Sequence, residues 1–130
     1  MEGRQPIYRV RVEGEFSSSH QLRNYGGKCE SLHGHNFRVQ AEVEGSGLDP
    51  ETGILVDFKD IRGQLQQILS ELDHAHLNEL PAFRRENPSS ENLARYIYQR
   101  LEQALSMWSV SLRKVSVFEK EGSRATYRET

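Results

Sequence analysis

From His35 to Val43 the chain alternates without a break. His35, Phe37, Val39, Ala41 and Val43 fall on one side of an extended backbone, and Asn36, Arg38, Gln40, Glu42 and Glu44 on the other. A period of two cannot be folded as a helix, so this stretch is a strand with one face for a core and one for solvent. His33 lies two residues before His35 and joins the same, less polar face, about 6.5 Å away at the usual rise of a strand. Both imidazoles can then reach one ion. An earlier segment has the same pattern: Tyr8, Val10, Val12 and Phe16 alternate with Arg9, Arg11, Glu13 and Glu15, and Gly14 stands in the apolar register. His20 shares that register, although Ser17-Ser18-Ser19 is a stretch that can end the strand before it.

Residues 20–35 thus gather three imidazoles, His20, His33 and His35, with Cys29, the chain's one thiol. Three neutral imidazoles with a fourth position left to water or substrate are the pattern of a catalytic zinc; a structural site would usually close with four protein ligands. An isolated His-x-His also arises as a chance pair on a strand, and it is the company of His20 and Cys29 that turns this one toward a site. Cys29 follows Gly26-Gly27-Lys28, a loop-like stretch suited to a thiol that must meet a substrate. It is open to two other roles, a fourth metal ligand or a small buried hydrophobe.

The bulk properties frame this cluster. A chain of 130 residues makes one domain, 1–130, with a core of its own. One cysteine excludes an intrachain disulfide framework, and the sequence has neither an apolar h-region nor an eighteen-residue apolar run, so a cytoplasmic protein is expected. With 17 basic against 19 acidic side chains and no long block of either sign, nothing advertises a nucleic acid or membrane surface. A small-molecule ligand is the better expectation. Hydrophobic residues make up 35% of the chain, lean beside the about 45–50% usual on a count that includes glycine; association with other copies would supply further burial.

The periodicities predict strands over 6–17 and 33–45, joined by the long loop that carries Cys29. Turn chemistry over 45–53 leads to Asp57, a helix cap, and Phe58, Ile61, Leu65, Ile68, Leu69 and Leu72 recur at helical spacing over 58–72. A second helix begins after Pro88, capped by Ser89, with an apolar stripe of Leu93, Ile97, Leu101, Leu105 and Trp108. Two closing strands fit 112–121 and 123–129, hinged at Gly122. The order ββααββ makes an α+β domain.

Two further groups carry chemistry. Glu119 shares a strand face with Val115 and Val117. It is either a strand-end carboxylate in solvent or an acid facing paired N–H donors, such as the amino-pyrimidine edge of a pterin or guanine. Asp73-His74 closes the first helix. The aspartate can fix the imidazole's tautomer for proton transfer, or His74 can serve simply as a cation at a helix C-terminus. His76 stands either on the surface or beside the residues that contact the site.

Phe16-Ser-Ser-Ser-His20, Cys29-x3-His33-Gly-His35, Gly53-Ile-Leu-Val-Asp57-Phe58, Leu72-Asp73-His74, Leu77-Asn78, Pro88-Ser-Ser-Glu91-Asn92 and Val115-Ser-Val-Phe-Glu119 occur in this order. Together they resemble the 6-pyruvoyltetrahydropterin synthase and 6-carboxytetrahydropterin synthase family along nearly the whole chain. The resemblance implies Zn2+ on His20, His33 and His35, Cys29 as general base, Asp73 and His74 as the pair handling a second proton, and Glu119 as the pterin anchor. It also implies the T-fold, an antiparallel four-stranded sheet with two helices on one face. Subunits of that fold join their sheets into a barrel, giving a homohexamer, a dimer of trimers, with sites between subunits. Three residues between Cys29 and His33, with Leu32 where a glutamate would precede His33, resemble the carboxy-forming bacterial branch; the pyruvoyl-forming branch has a longer loop. Ser89-Ser90 departs from the Pro-Thr more often seen there.

The implied reaction converts 7,8-dihydroneopterin triphosphate to 6-carboxy-5,6,7,8-tetrahydropterin, acetaldehyde and triphosphate on the way to queuosine. The competing readings are a 6-pyruvoyltetrahydropterin synthase with the same ligands, a zinc- or pterin-binding module without turnover, and a hydrolytic relative, since the T-fold also hosts GTP cyclohydrolases.

Overall fold

Each alternating segment becomes a long strand, β1 (Tyr8–His20) and β2 (His33–Gly45), in the computed structural model, which describes residues 3–130. The two pair antiparallel in one register, from Tyr8 opposite Gly45 to His20 opposite His33. Their apolar residues turn to one face, where Val12, Phe16, Phe37, Val39, Ala41 and Val43 are no more than 2% exposed. Phe16 and Phe37 stack across the pair with ring centroids 4.8 Å apart, a cross-strand contact of the kind that fixes a sheet.

Two helices follow, α1 (Phe58–Leu72) and α2 (Ser90–Ala104), and then β3 (Ser111–Lys120) and β4 (Ser123–Tyr127). The sheet runs β1-β2-β3-β4, antiparallel throughout. The helices lie on the apolar face, α1 against β1 and α2 against β3 and β4. This is the expected α+β order ββααββ. The Asp57 side chain accepts from Lys59 N at 2.8 Å to start α1, and Ser89 accepts from Asn92 N at 3.1 Å to start α2, so both expected caps are in place. No described helix is long and apolar enough to cross a membrane.

Several boundaries differ from the sequence reading. β1 starts at Tyr8 and runs through Ser17-Ser18-Ser19 to His20, past the expected end at 17. The serines stay extended because the segment after α1 lies along their free edge. Ser17 N donates to Asp73 Oδ1 at 2.8 Å, His74 N to Ser17 O at 2.6 Å, and Ser19 N to Ala75 O at 3.0 Å. α2 ends at Ala104, short of Trp108, because the chain tightens there. Leu105 N bonds Leu101 O, whereas Ser106 N and Trp108 N reach back only three residues, to Gln103 O and Leu105 O. Leu105 is still buried and Trp108 still packs on the core. β3 and β4 shift by one residue or end early, and two short 3-10 turns, Leu77–Glu79 and Pro81–Phe83, were not foreseen. Their Leu77 and Phe83 are fully buried.

Gly14 marks the closest approach of helix and sheet. A Cβ there would lie 2.8 Å from Leu69 Cδ1 and 3.5 Å from Leu65 Cδ2, so α1 fills the space a side chain would take. Gly14→Val should therefore overpack the core and cost about 1–3 kcal/mol. Denaturant unfolding checks this as a lower midpoint at unchanged slope.

Candidate functional site

Register and face bring the imidazoles together. His20 and His33 are directly opposite in the β1–β2 pairing, and Ser18 opposite His35 puts the third ring one step along the same face. Beyond Phe118, the last residue of β3 paired with β2, the odd-numbered face of Val115 and Val117 continues into Glu119, which reaches the same spot. One ligand atom from each of His20, His33, His35 and Glu119 lies within 4.8 Å of all the others. His35 Nε2 is 2.6 Å from Glu119 Oε1, His20 Nε2 3.4 Å and His33 Nε2 3.5 Å. The rings stand at steep angles to one another, 68° between His20 and His33 and 88° between His33 and His35. Phe37 meets His20 and His35 edge-on and closes the apolar side. His20 is 2% exposed, but the side chains of His33, His35 and Glu119 are 31%, 25% and 32% exposed. The site is open to solvent on that side.

Backbone carbonyls settle which nitrogens carry hydrogen. A carbonyl only accepts, so His20 Nδ1 donates to Pro88 O at 2.8 Å and His33 Nδ1 donates to Ser31 O at 2.7 Å. In the neutral rings both Nε2 atoms then hold lone pairs, and these two face each other at 3.1 Å. Two lone pairs at hydrogen-bond distance repel unless a cation or a shared proton lies between them. Imidazoles fixed through Nδ1 with Nε2 turned inward are how proteins hold a transition metal, and such nitrogen donors suit Zn2+. The residues present fit the ion.

Burial works against ionised Glu119, but the neighbouring imidazoles, His35 and His20 foremost, outweigh it and hold the carboxyl below its ordinary range. The Ser31 carbonyl raises His33 despite burial, with help from Glu119 and Glu30. Burial lowers His35, and the other two imidazoles reinforce this against the pull of Glu119.

Asp73 and His74 lie apart from this cluster, at the free edge of β1. Asp73 caps the end of α1, takes the Ser17 N–H on Oδ1 and holds His74 Nδ1 at 2.9 Å on Oδ2. The Ser17 N–H holds the Asp73 carboxyl below its usual range, and against a slight burial effect His74 adds to this. His74 has φ +52°, the left-handed region a side chain adopts only when its surroundings impose it. Its side chain is 83% exposed. His76, left open by the sequence, meets Ser19 Oγ through Nδ1 at 3.1 Å. Cys29 is exposed on the loop between β1 and β2, and its sulfur is not among the four clustered ligand atoms.

The sequence reading missed the groups that shape that loop. Asn78 and Gln21 pair reciprocally: Gln21 N donates to Asn78 Oδ1 at 2.9 Å and Asn78 Nδ2 to Gln21 O at 2.7 Å. Asn87 does the same for Arg23 at 2.8 and 2.9 Å. The Arg23 guanidinium donates to the carbonyls of Asn78, Phe83 and Glu86. Glu30 N returns to Leu22 O at 2.8 Å, so the loop is tied on both sides of its Gly26-Gly27 tip. The sequence signals were Leu77-Asn78, one of the stretches that carry the resemblance, and Asn87-Pro88, an asparagine beside a turn-forming proline; neither reveals a partner.

A family model described as 6-pyruvoyl tetrahydropterin synthase matches residues 9–130. The 6-carboxy-5,6,7,8-tetrahydropterin synthase of Synechocystis is 38% identical over 96 residues, covering 71% of this chain and 73% of that protein. The putative 6-carboxy-5,6,7,8-tetrahydropterin synthase of Archaeoglobus fulgidus is 32% identical over 119 residues, 92% of this chain and 94% of the other. The solved structure of Caenorhabditis elegans 6-pyruvoyl tetrahydropterin synthase superposes with a TM-score of 0.80 at 25% identity, over 98% of this chain and 99% of that one. The sheet order and the two helices are accordingly those of the T-fold. With nearly the whole chain matched in sequence and in shape, the protein belongs to the 6-pyruvoyl tetrahydropterin synthase family of enzymes.

Proposed function

We propose that the chain is a zinc-dependent 6-carboxy-5,6,7,8-tetrahydropterin synthase. It converts 7,8-dihydroneopterin triphosphate to the 6-carboxy product with release of acetaldehyde and triphosphate, a step toward 7-deazaguanines and queuosine. The observation that carries this reading is the pair of Nε2 lone pairs of His20 and His33 facing each other at 3.1 Å inside a pterin-synthase fold. The names of the Synechocystis and Archaeoglobus relatives support the carboxy branch, as does the short loop in which Leu32 precedes His33.

His20, His33 and His35 would hold the zinc, which when bound supplies Lewis acidity to substrate oxygens and eases loss of nearby protons. Cys29, on its exposed loop, takes a proton from the substrate side chain as general base. His74, with Nδ1–H turned to Asp73, keeps Nε2 free to take and return a second proton. Glu119 anchors the amino-pyrimidine edge through paired N–H donors. Its Oε1 lies 2.6 Å from His35 Nε2; with His20, His33 and His35 holding the ion, the carboxylate would be free to accept from the ring.

A homohexamer, built as a dimer of trimers, would complete the site between subunits and let Cys29 and His74 meet across chains. The surface supports association: Ile7, Tyr8, Ile54 and Phe58, all around the start of β1 and the loop before α1, are 42–65% exposed. Another copy would cover them and the strand edges. In the cell we place the enzyme in the cytoplasm.

Incubation of the zinc-loaded protein with 7,8-dihydroneopterin triphosphate should give the 6-carboxy product by mass spectrometry; a 6-pyruvoyl product would overturn the branch and untouched substrate the activity. His33→Ala should lose zinc and turnover together. Cys29→Ala should keep its zinc and lose turnover by at least about 100-fold, the usual scale of a general base; a full rate would remove Cys29 from the mechanism. Glu119→Gln should raise KM with zinc content unchanged, and an unaltered KM would reject the anchor. The depressed Asp73 carboxyl gives a pH signature. Its contribution to stability is present above the unfolded-state value of about 3.9 and is lost as pH falls through the lower folded value. Asp73→Asn should lower Tm at pH 7, with the gap to the parent closing in acid below that range; a gap independent of pH would contradict the ionised role.

A further inference from the structure

We infer that Asn87 is a positioning residue for the metal centre: it fixes the carbonyl of Pro88 and, through it, the ring of His20. The inference rests on the metal reading given above, but the geometry behind it belongs to the protein alone. His20 is the most buried of the three imidazoles, at 2% exposure. Its tautomer depends on one contact, Nδ1–H to Pro88 O at 2.8 Å. If that carbonyl moved, Nδ1 would lose its acceptor, and hydrogen on Nε2 would block the atom that must bind the ion.

Pro88 cannot hold its own place by donating, since it has no N–H. The hold comes from the residue before it. Asn87 imitates a strand neighbour: its Oδ1 accepts Arg23 N at 2.8 Å and its Nδ2 donates to Arg23 O at 2.9 Å. Its own carbonyl accepts from Asn92 Nδ2 at 2.8 Å, and Asn92 N is in turn bonded to the Ser89 cap. Asn87 is thereby locked to the loop on one side and to the first turn of α2 on the other. Residues 20–23 and 87–88 form a closed ring, joined at one end by His20 and Pro88 and at the other by Arg23 and Asn87. In such a ring the direction of the Pro88 carbonyl follows from the amide pair.

The chemistry demands an amide. An aspartate at 87 would still accept from Arg23 N, but it would set a carboxylate oxygen against the Arg23 carbonyl, with no hydrogen between them. Alanine would lose both bonds. Asn78 makes a similar pair with Gln21 but has no link to Pro88, so the effect on His20 is assigned to Asn87.

The test uses the whole chain and has two readouts. In the metal-free protein, at a pH high enough that the ring is neutral, long-range 15N–1H spectra of His20 should show the Nδ1–H tautomer alone in the parent and a mixture in Asn87→Asp and Asn87→Ala. Zn2+ affinity, measured by competition with a coloured chelator, should fall by about 10–100-fold in both, the usual scale for outer partners of a ligand histidine. Leu105→Ala, in the core just past the end of α2, should lower Tm while leaving tautomer and affinity as in the parent. An unchanged tautomer and affinity in the Asn87 variants would overturn the inference, and so would an equal loss in Leu105→Ala. A parent protein that binds no zinc would overturn the metal reading instead, while the tautomer comparison would still decide the role of Asn87. Should Asn87→Ala fail to fold, the near-isosteric Asn87→Asp carries both measurements.

Discussion

One register, that of β1 against β2, determines nearly everything else. Because side chains alternate, a slip of a single residue would send Phe16, Phe37 and all three histidines to the opposite face. Phe16 stacked on Phe37 and Gly14 beneath Leu69 make that slip costly, since one would lose an aromatic pair and the other would push a side chain into α1. The same register that fills the core with Val12, Val39 and Val43 places His20 opposite His33 at its far end. The site is the continuation of the core face past the last apolar residue, so folding itself assembles three of the four clustered groups.

That continuity has a consequence for polar burial. His20 lies where another phenylalanine or valine would otherwise be, and an unpaired imidazole there would cost about 1–3 kcal/mol. The protein meets this by spending its Nδ1–H on the Pro88 carbonyl, which leaves only an acceptor facing the cluster. Ser18 is buried in the same way and gives its hydroxyl hydrogen to Leu72 O. Leu72 O is one of the carbonyls that the end of α1 leaves without a helical partner, and Pro88 O lies just outside α2, ahead of its Ser89 cap. The helices thus cover the sheet with their apolar stripes and serve the strand ends with their termini.

This explains what was legible in the sequence. The alternation at 33–45, the helical spacing of Ile61, Leu65, Ile68 and Leu72, and the caps Asp57 and Ser89 are local, and they come out where the periodicity puts them. His20, His33 and His35 shared a face by parity, and the structure brings them together. Glu119 was placed on the right face of β3, but its approach to within 2.6 Å of His35 depends on the order of the sheet, which periodicity does not encode. The end of β1 was misjudged for a related reason. Three serines have weak strand preference by themselves, and what keeps them extended is the distant segment 73–75 bonded to Ser17 and Ser19. The roles of Asn78, Asn87 and Arg23 were invisible because their partners lie 55–64 residues away, and an asparagine beside a proline, as at 87, reads locally as a turn.

The site also divides its labour by how firmly each group is held. His20 and His33 are each pinned by a backbone carbonyl, as a group must be if it is to meet an ion at short, fixed distances without reorganising. Cys29 and His74 are exposed, one beyond a glycine-rich tip and the other at a strand edge. In the roles proposed for them, they would have to reach different atoms of a substrate in turn, and burial would exclude it. His74 reconciles access with order in an economical way. Its backbone, held at φ +52° by its N–H to Ser17 O, and its ring, tied to Asp73, are both fixed through β1, the strand that ends in His20. The face that carries the clustered imidazoles and the edge that carries Asp73 and His74 are therefore two sides of one strand.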